Sequence, residues 1–151
     1  MTESTLLGAS LTEQSIKDAV RDWYVALDQH VPLEQVLPYL VQDGLEMRFP
    51  EATLTTLDEF KGWYEAVTHR FFDEVHELKS VEVEPAVGGE TLVKVVVNWQ
   101  AHIWNPPAAR SRWLGFDAYQ TWIVVAGEDG RPLVKTYIVD DLDPMEGSAS
   151  L

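Results

Sequence analysis

The stretch ETLVKVVVNWQAHIW, residues 90–104, decides the fold class of this chain. Its β-branched and aromatic residues are typical of a strand, and every second residue from Val93 to Ile103 is apolar. Three further stretches of this kind are DEVHELKSVEVEP (73–85), RWLGFDAYQTWIVVAG (112–127) and PLVKTYIVDD (132–141). Residues that favour turns separate the four, and consecutive strands joined by short turns form an antiparallel meander.

The first half of the chain begins with a helical pattern. The stretch SIKDAVRDWYVALDQH (15–30) carries apolar residues at helical spacing, and Ser10 and Glu13 have the spacing of a capping box at its start. Pro32 disfavours helical geometry in the residue before it, so this helix should end near His30.

Two more helical patterns follow, with a strand between them. PLEQVLPYL (32–40) and TLDEFKGWYEAVTHRFF (56–72) have helical spacing, whereas GLEMRF (44–49) alternates and is bounded by Gly and Pro. Helices followed by a run of strands predict an α+β domain, with three N-terminal helices packed on a curved antiparallel sheet.

The length of 151 residues indicates one domain. We assign it residues 11–142 and expect disorder in residues 1–10 and 143–151, which are small, polar and without periodicity.

Composition excludes several classes of function. A net charge of −14 opposes binding to nucleic acid and to anionic membrane surfaces. The chain has no cysteine, which excludes thiol chemistry and fits a cytoplasmic protein, and it carries no signal-peptide pattern or membrane-spanning run. Its four histidines lack the spacing of a metal site, so we predict neither a metal nor a cofactor.

The order of elements resembles the nuclear transport factor 2-like superfamily, including its SnoaL-like polyketide cyclase branch. The likeness rests on WYVALDQH (23–30), LVQDGLEMRFP (40–50), VHELKSVEV (75–83) and KTYIVDD (135–141). The resemblance implies a cystatin-like, cone-shaped fold with a deep apolar cavity. It also implies a homodimer that forms through the outer face of the sheet.

Within that superfamily the polar positions are most similar to those of scytalone dehydratase. The resemblance implies three catalytic residues: Asp28 at the end of the first helix, His76 on the strand after the third helix and His102 on the next strand. The chain departs from the family at Leu27, where the family has a Tyr, and at the family's Ser and Asn on the following strand. The substrate contacts are therefore not carried over.

Asp28 and His30 lie close together in sequence, yet they have different explanations. A histidine in the last turn of a helix is favoured by the helix dipole, which accounts for His30. An aspartate there is disfavoured by the same dipole, so Asp28 is the better candidate for a function.

The face on which His76 lies depends on the regularity of its strand. In a regular strand His76 and Leu78 would point away from the face that holds Val81 and Val83. A bulge near Lys79 or Ser80 would reconcile them and place His76 on the core side.

His102 shares a polar row with Asn98 and Gln100, and the alternate row of that strand is apolar. Either the apolar row faces the core and the polar row faces solvent, or the polar row lines the cavity and the apolar row is buried in a dimer. The sequence alone leaves both open, and the resemblance favours the second, with Asn98 and Gln100 in contact with substrate.

Three tyrosines are candidates for hydrogen bonds to a substrate carbonyl: Tyr24, Tyr119 and Tyr137. With Asp28 and His76 as an acid–base pair, they predict a cofactor-independent dehydratase, cyclase or isomerase that acts on a small apolar carbonyl or polyketide-like compound. The alternative is a non-catalytic binding or dimerisation module of the same fold.

Overall fold

The predicted three helices are present. The computed structural model describes residues 11–151, so the disorder expected for residues 1–10 lies outside the described part. Helix α1 spans Glu13–Asp28, α2 spans Leu33–Val36 and continues as a 3₁₀ turn over Leu37–Tyr39, and α3 spans Leu57–Arg70. No helix within residues 11–151 combines the length and the apolar character that a bilayer crossing needs.

Helix α1 begins later than its predicted cap. Thr12 is the N-cap, and it exchanges hydrogen bonds of 2.9 Å with Ser15 in a reciprocal capping box. Glu13 is the first helical residue, and Ser10, its partner in the predicted capping box, lies outside the described residues.

Six strands form one sheet in the order β2-β1-β6-β5-β4-β3. They span Glu46–Arg48 (β1), Thr53–Leu54 (β2), Phe71–Val83 (β3), Thr91–Ile103 (β4), Arg112–Ala126 (β5) and Pro132–Pro144 (β6). All neighbouring strands are antiparallel except β1 and β6, which pair in parallel. Strand β2 has only two residues, too few to give a pattern in the sequence.

The core lies between the helices and one face of this sheet. Ile16, Val20 and Trp23 form the predicted stripe of α1 and are buried. They pack with the apolar row of β4, in which Val93 and Val97 are fully buried. The apolar row therefore faces the helices, which sets the inner face of the cone and leaves the polar row of β4 on the outer face.

The C-terminal segment differs from the expected disorder of residues 143–151. Strand β6 continues to Pro144, and the segment beyond it stays hydrogen-bonded to β5. The Met145 amide donates to the Gly115 carbonyl at 2.9 Å, and the Ala149 amide donates to the Trp113 carbonyl at 3.0 Å. These bonds use backbone groups that any residue supplies, so the polar composition of the segment did not reveal them.

Candidate active site

Asp28 and His76 meet across the fold. Asp28 Oδ1 lies 2.5 Å from His76 Nδ1, and Asp28 Oδ2 accepts the backbone N–H of His76 at 2.9 Å. A carboxylate only accepts hydrogen bonds, so Nδ1 carries the ring hydrogen and Nε2 keeps a free lone pair. Nε2 makes no hydrogen bond to any side chain or backbone group of residues 11–151. The contact thus fixes both the tautomer and the orientation of the ring.

Two irregularities in β3 turn His76 inward. The register with β4 shifts between Leu78 and Ser80, which confirms the bulge predicted there. A second shift, between Phe72 and Val75, was not predicted. A one-residue insertion reverses the face to which each following side chain points. The segment between the two shifts therefore presents His76 to the inside of the cone.

Two aromatic rings lie beside the His76 imidazole. The ring of Tyr24 stacks on it at 4.7 Å between centroids with an interplanar angle of 26°. The Trp99 ring lies 6.2 Å away at 16°. Together with Asp28 they leave the imidazole little freedom to rotate.

His76 lines a cavity of about 560 Å³ between the helices and the inner sheet face. This volume is within the range of small-molecule sites. Trp63, Trp99 and Phe71 contribute to its walls, and they leave the space open. The exposed residues Glu51 and Arg70 lie at its mouth.

Gln120 supplies hydrogen-bond donors to this cavity. Its Oε1 lies 2.8 Å from Trp122 Nε1, and since an indole nitrogen only donates, that atom of the amide is the oxygen. The same oxygen accepts the Tyr24 hydroxyl at 2.7 Å, and Tyr24 lies 2.9 Å from the Tyr137 hydroxyl. Gln120 lines the cavity, and its Nε2 has no partner among the described residues. Two oriented N–H groups are thus free for an oxygen of a ligand.

Burial keeps the two tyrosines of this network neutral. It raises the pKa of Tyr24 well above its ordinary value, and the neighbouring Tyr137 adds to the rise. Burial also raises the pKa of Tyr137. Both hydroxyls therefore keep their hydrogens at neutral pH. Tyr137 lines the cavity, as predicted for a substrate contact, whereas Tyr24 lies behind His76 and Gln120 and supports them.

The predicted placement of His102, Asn98 and Gln100 in the cavity is wrong. All three lie on the outer face, because the apolar row of β4 faces the helices. The Asn98 amide donates to Asp117 at 2.9 Å, and the Gln100 amide donates to Asn98 at 2.8 Å, in a network on that face.

The side chains of β5 alternate between the inner and outer faces in the same way. Tyr119 is 43% exposed on the outer face and does not reach the cavity, so its predicted contact with substrate is wrong as well. Gln120, one residue further, was missed. Its signal in the sequence is a polar residue between Ala118 and Trp122 in an otherwise apolar row.

The described residues contain no group of three or more His, Asp or Glu side chains positioned to hold a metal ion. The polar side chains that line the cavity include the imidazole of His76, the amide of Gln120, the phenols of Tyr64 and Tyr137 and the carboxylate of Glu74. The Glu74 carboxylate accepts the Trp99 indole N–H at 2.9 Å and contacts His30 Nε2. The cavity thus offers a base in His76, a hydrogen-bond donor for a ligand oxygen in Gln120 and a carboxyl group in Glu74.

Comparison with solved structures identifies the fold. A scytalone dehydratase-like protein from Novosphingobium aromaticivorans superposes with a TM-score of 0.70 at 19% identity, over 100% of this chain and 93% of that one. The hexachlorocyclohexane dehydrochlorinase LinA-type3 from Novosphingobium barchaimii has a TM-score of 0.71 at 13% identity, over 91% and 92% of the two chains. A protein from Nostoc punctiforme with a cystatin-like fold has a TM-score of 0.66 at 13% identity, over 93% and 98%.

The fold expected from the resemblance is thus confirmed: the chain has a cystatin-like fold. Neither a protein-family model nor a curated protein sequence matches the chain.

Proposed function

We propose that this protein is a cofactor-independent enzyme that removes a proton α to the carbonyl of a small, largely apolar molecule. Loss of water, ring closure or isomerisation follows from the resulting enolate. The observation that carries the proposal is the Asp28–His76 contact, which leaves Nε2 of a cavity-lining imidazole free to accept a proton.

The proposed roles follow from the contacts of each group. His76 Nε2 takes the proton, and Asp28 stabilises the imidazolium that forms. The Gln120 amide donates to the carbonyl oxygen as negative charge develops on it. The apolar walls exclude water, which strengthens these interactions.

Fold relatives support the class of reaction. The similar structures include a dehydrochlorinase and a dehydratase-like protein, both of which are named for eliminations. An elimination needs a base that removes a proton from a carbon atom and a group that donates a proton or a hydrogen bond to the leaving group. The cavity contains groups for both roles.

The test uses 3-hydroxy-1-tetralone, a bicyclic aromatic ketone that loses water to give fluorescent 1-naphthol. We expect the wild-type protein to accelerate this reaction and His76→Gln to lose about 10²- to 10⁴-fold in kcat/KM. His102→Gln is the matched control on the outer face and should retain the wild-type rate.

Equal rates in the two histidine variants would refute the proposal. The rival function, a non-catalytic binding module, predicts that 1-tetralone binds to the wild-type protein although 3-hydroxy-1-tetralone is not turned over.

The homodimer is a separate proposal. The outer face of β5 presents Tyr119, a large aromatic side chain that is 43% exposed and suits a contact between two copies. Light scattering after size exclusion should give twice the chain mass for the wild-type protein and the single mass for Tyr119→Glu. A monomeric wild-type protein would contradict this assembly.

A further inference from the structure

We propose that His30 and Glu74 form a second acid–base pair in the cavity wall, which delivers a proton to the departing group of the substrate. This inference rests on the proposed function and assigns the acid that the reaction needs beside the base His76. The sequence had explained His30 by the helix dipole alone.

Glu74 connects His30 to the cavity. Its side chain is only 9% exposed and lines the cavity beside His76. Oε2 contacts His30 Nε2, and Oε1 accepts the Trp99 indole N–H at 2.9 Å. Each carboxylate oxygen has two acceptor sites, so both keep capacity for a ligand.

His30 connects the pair to solvent. Its side chain is 27% exposed and lines a shallow cleft on the outside of the cone, together with Gln29 and Asp73. Glu74 lines that cleft as well as the cavity. The pair therefore crosses the wall, with one member reaching the cavity and the other reaching bulk water.

The backbone is strained at His30 and at Asp73, the residue that precedes Glu74. His30 (φ 49°) and Asp73 (φ 51°) are the non-glycine residues with positive φ within the described range. His30 follows the C-cap of α1, where glycine is usual, and Asp73 precedes Glu74 in the unpredicted bulge of β3. A histidine placed only for the helix dipole needs no such strain, since it would serve as well in the last turn of the helix.

The distance between Glu74 and His76 allows an acid and a base to act on the same substrate molecule. Glu74 and His76 are two residues apart on the same face of β3, which separates their Cα atoms by about 7 Å. Asp28 and His30 are two apart at the end of α1, so the two pairs lie side by side. A substrate between Glu74 and His76 would present its α-carbon to one and its β-oxygen to the other.

The step balances without a further reactant. His76 Nε2 takes the α-proton, the electron pair of that C–H bond forms the new C=C bond, and the Cβ–O bond breaks. The proton shared by Glu74 and His30 passes to the departing oxygen, which leaves as water. The cleft returns a proton to His30, and His76 releases the one it took, so the net change is substrate to enone and water.

Two probe substrates distinguish the loss of the acid from the loss of the base. Elimination of water from 3-hydroxy-1-tetralone needs both, whereas 5-nitrobenzisoxazole needs only a base, because its nitrophenolate departs without a proton. Glu74→Gln keeps the shape of the side chain and an oxygen for Trp99. We expect kcat/KM of this variant to fall about 10²-fold or more on the tetralone. On the benzisoxazole the fall in kcat/KM should be at least tenfold smaller.

His30→Gln should show the same split, since its amide still donates to Glu74 but does not relay a proton. If Glu74→Gln does not fold, as judged by its thermal unfolding, the His30→Gln variant still provides the test. His76→Gln should lose activity on both probes, and this arm tests the proposed function separately.

Equal losses on both probes in Glu74→Gln and His30→Gln would show that the pair only positions Trp99 and His76, which overturns the proposal. No loss on either probe would overturn it too. If the wild-type protein converts neither probe, the proposed function fails and the acid role fails with it.

Discussion

The two faces of the sheet carry a histidine each on neighbouring strands, and the two side chains have opposite surroundings. His76 on the inner face has Asp28 on one nitrogen, two aromatic rings beside it and a cavity before it. His102 on the outer face packs against Phe72, and its Nδ1 is buried without a partner among the described residues. A second residue that fixes the ring, rather than the histidine itself, therefore identifies the candidate base.

Beyond the two histidines, the largest effect is expected at Gln120, the inner-face donor. Gln120→Glu keeps an oxygen for Trp122 and Tyr24 but removes the amide hydrogens and places negative charge where the enolate forms. We expect kcat on 3-hydroxy-1-tetralone to fall about 10²- to 10³-fold. Gln100→Glu, the matched amide on the outer face, should leave kcat unchanged, and an equal loss there would remove the distinction between the faces.

Asp28→Asn tests the orientation of the ring. The amide can donate to Nδ1, which would move the ring hydrogen to Nε2 and remove the free lone pair. We expect a loss of roughly 10- to 100-fold in kcat, comparable with the loss of carboxylates that orient other functional histidines. Asp117→Asn on the outer face is the control, and an unchanged kcat in Asp28→Asn would show that Asp28 does not fix the tautomer.

Gly115→Ala perturbs the outer face alone. A β-carbon at this position would lie 2.6 Å from a ring atom of Trp113 and 2.7 Å from the sulfur of Met145. We expect the free energy of unfolding to fall by about 1–2 kcal/mol in urea titrations, since the indole must shift while the methionine adapts. Turnover of the tetralone should persist, and its loss at full stability would mean that the outer face contributes to the reaction.

Alkaline pH gives the smallest effect. The pKa values of Tyr24 and Tyr137 are raised by burial, so the folded protein keeps protons that the unfolded chain releases near pH 10. Their contribution to stability is complete below that pH and declines as pH rises towards the folded pKa, by up to about 1.4 kcal/mol per pH unit for each tyrosine. Tyr24→Phe should make the decline shallower above pH 10, and an unchanged slope would contradict the burial of this hydroxyl.

The sequence predicted the helices, the order of the main strands and the meeting of Asp28 with His76. The first two follow from periodicity, and the third came from the family resemblance together with the bulge expected at Lys79 or Ser80. The first two succeeded because each leaves a pattern that is local to a helix or a strand.

The sequence did not predict which face of β4 points inward. Alternation separates the row of Asn98, Gln100 and His102 from the apolar row, yet the packing of the helices decides which row is inside. Gln120 was missed for the same reason. The bulge before Glu74 was missed because Asp73 adopts a positive φ with no glycine to mark it.

The most direct measurement is the long-range ¹H–¹⁵N correlation spectrum of the histidine rings, recorded with and without 1-tetralone. We predict that His76 carries its hydrogen on Nδ1 and leaves Nε2 unprotonated. We also predict that the ketone shifts the His76 signals and leaves those of His102 in place. A His76 ring protonated on Nε2, or a ketone that shifts only His102, would contradict these predictions.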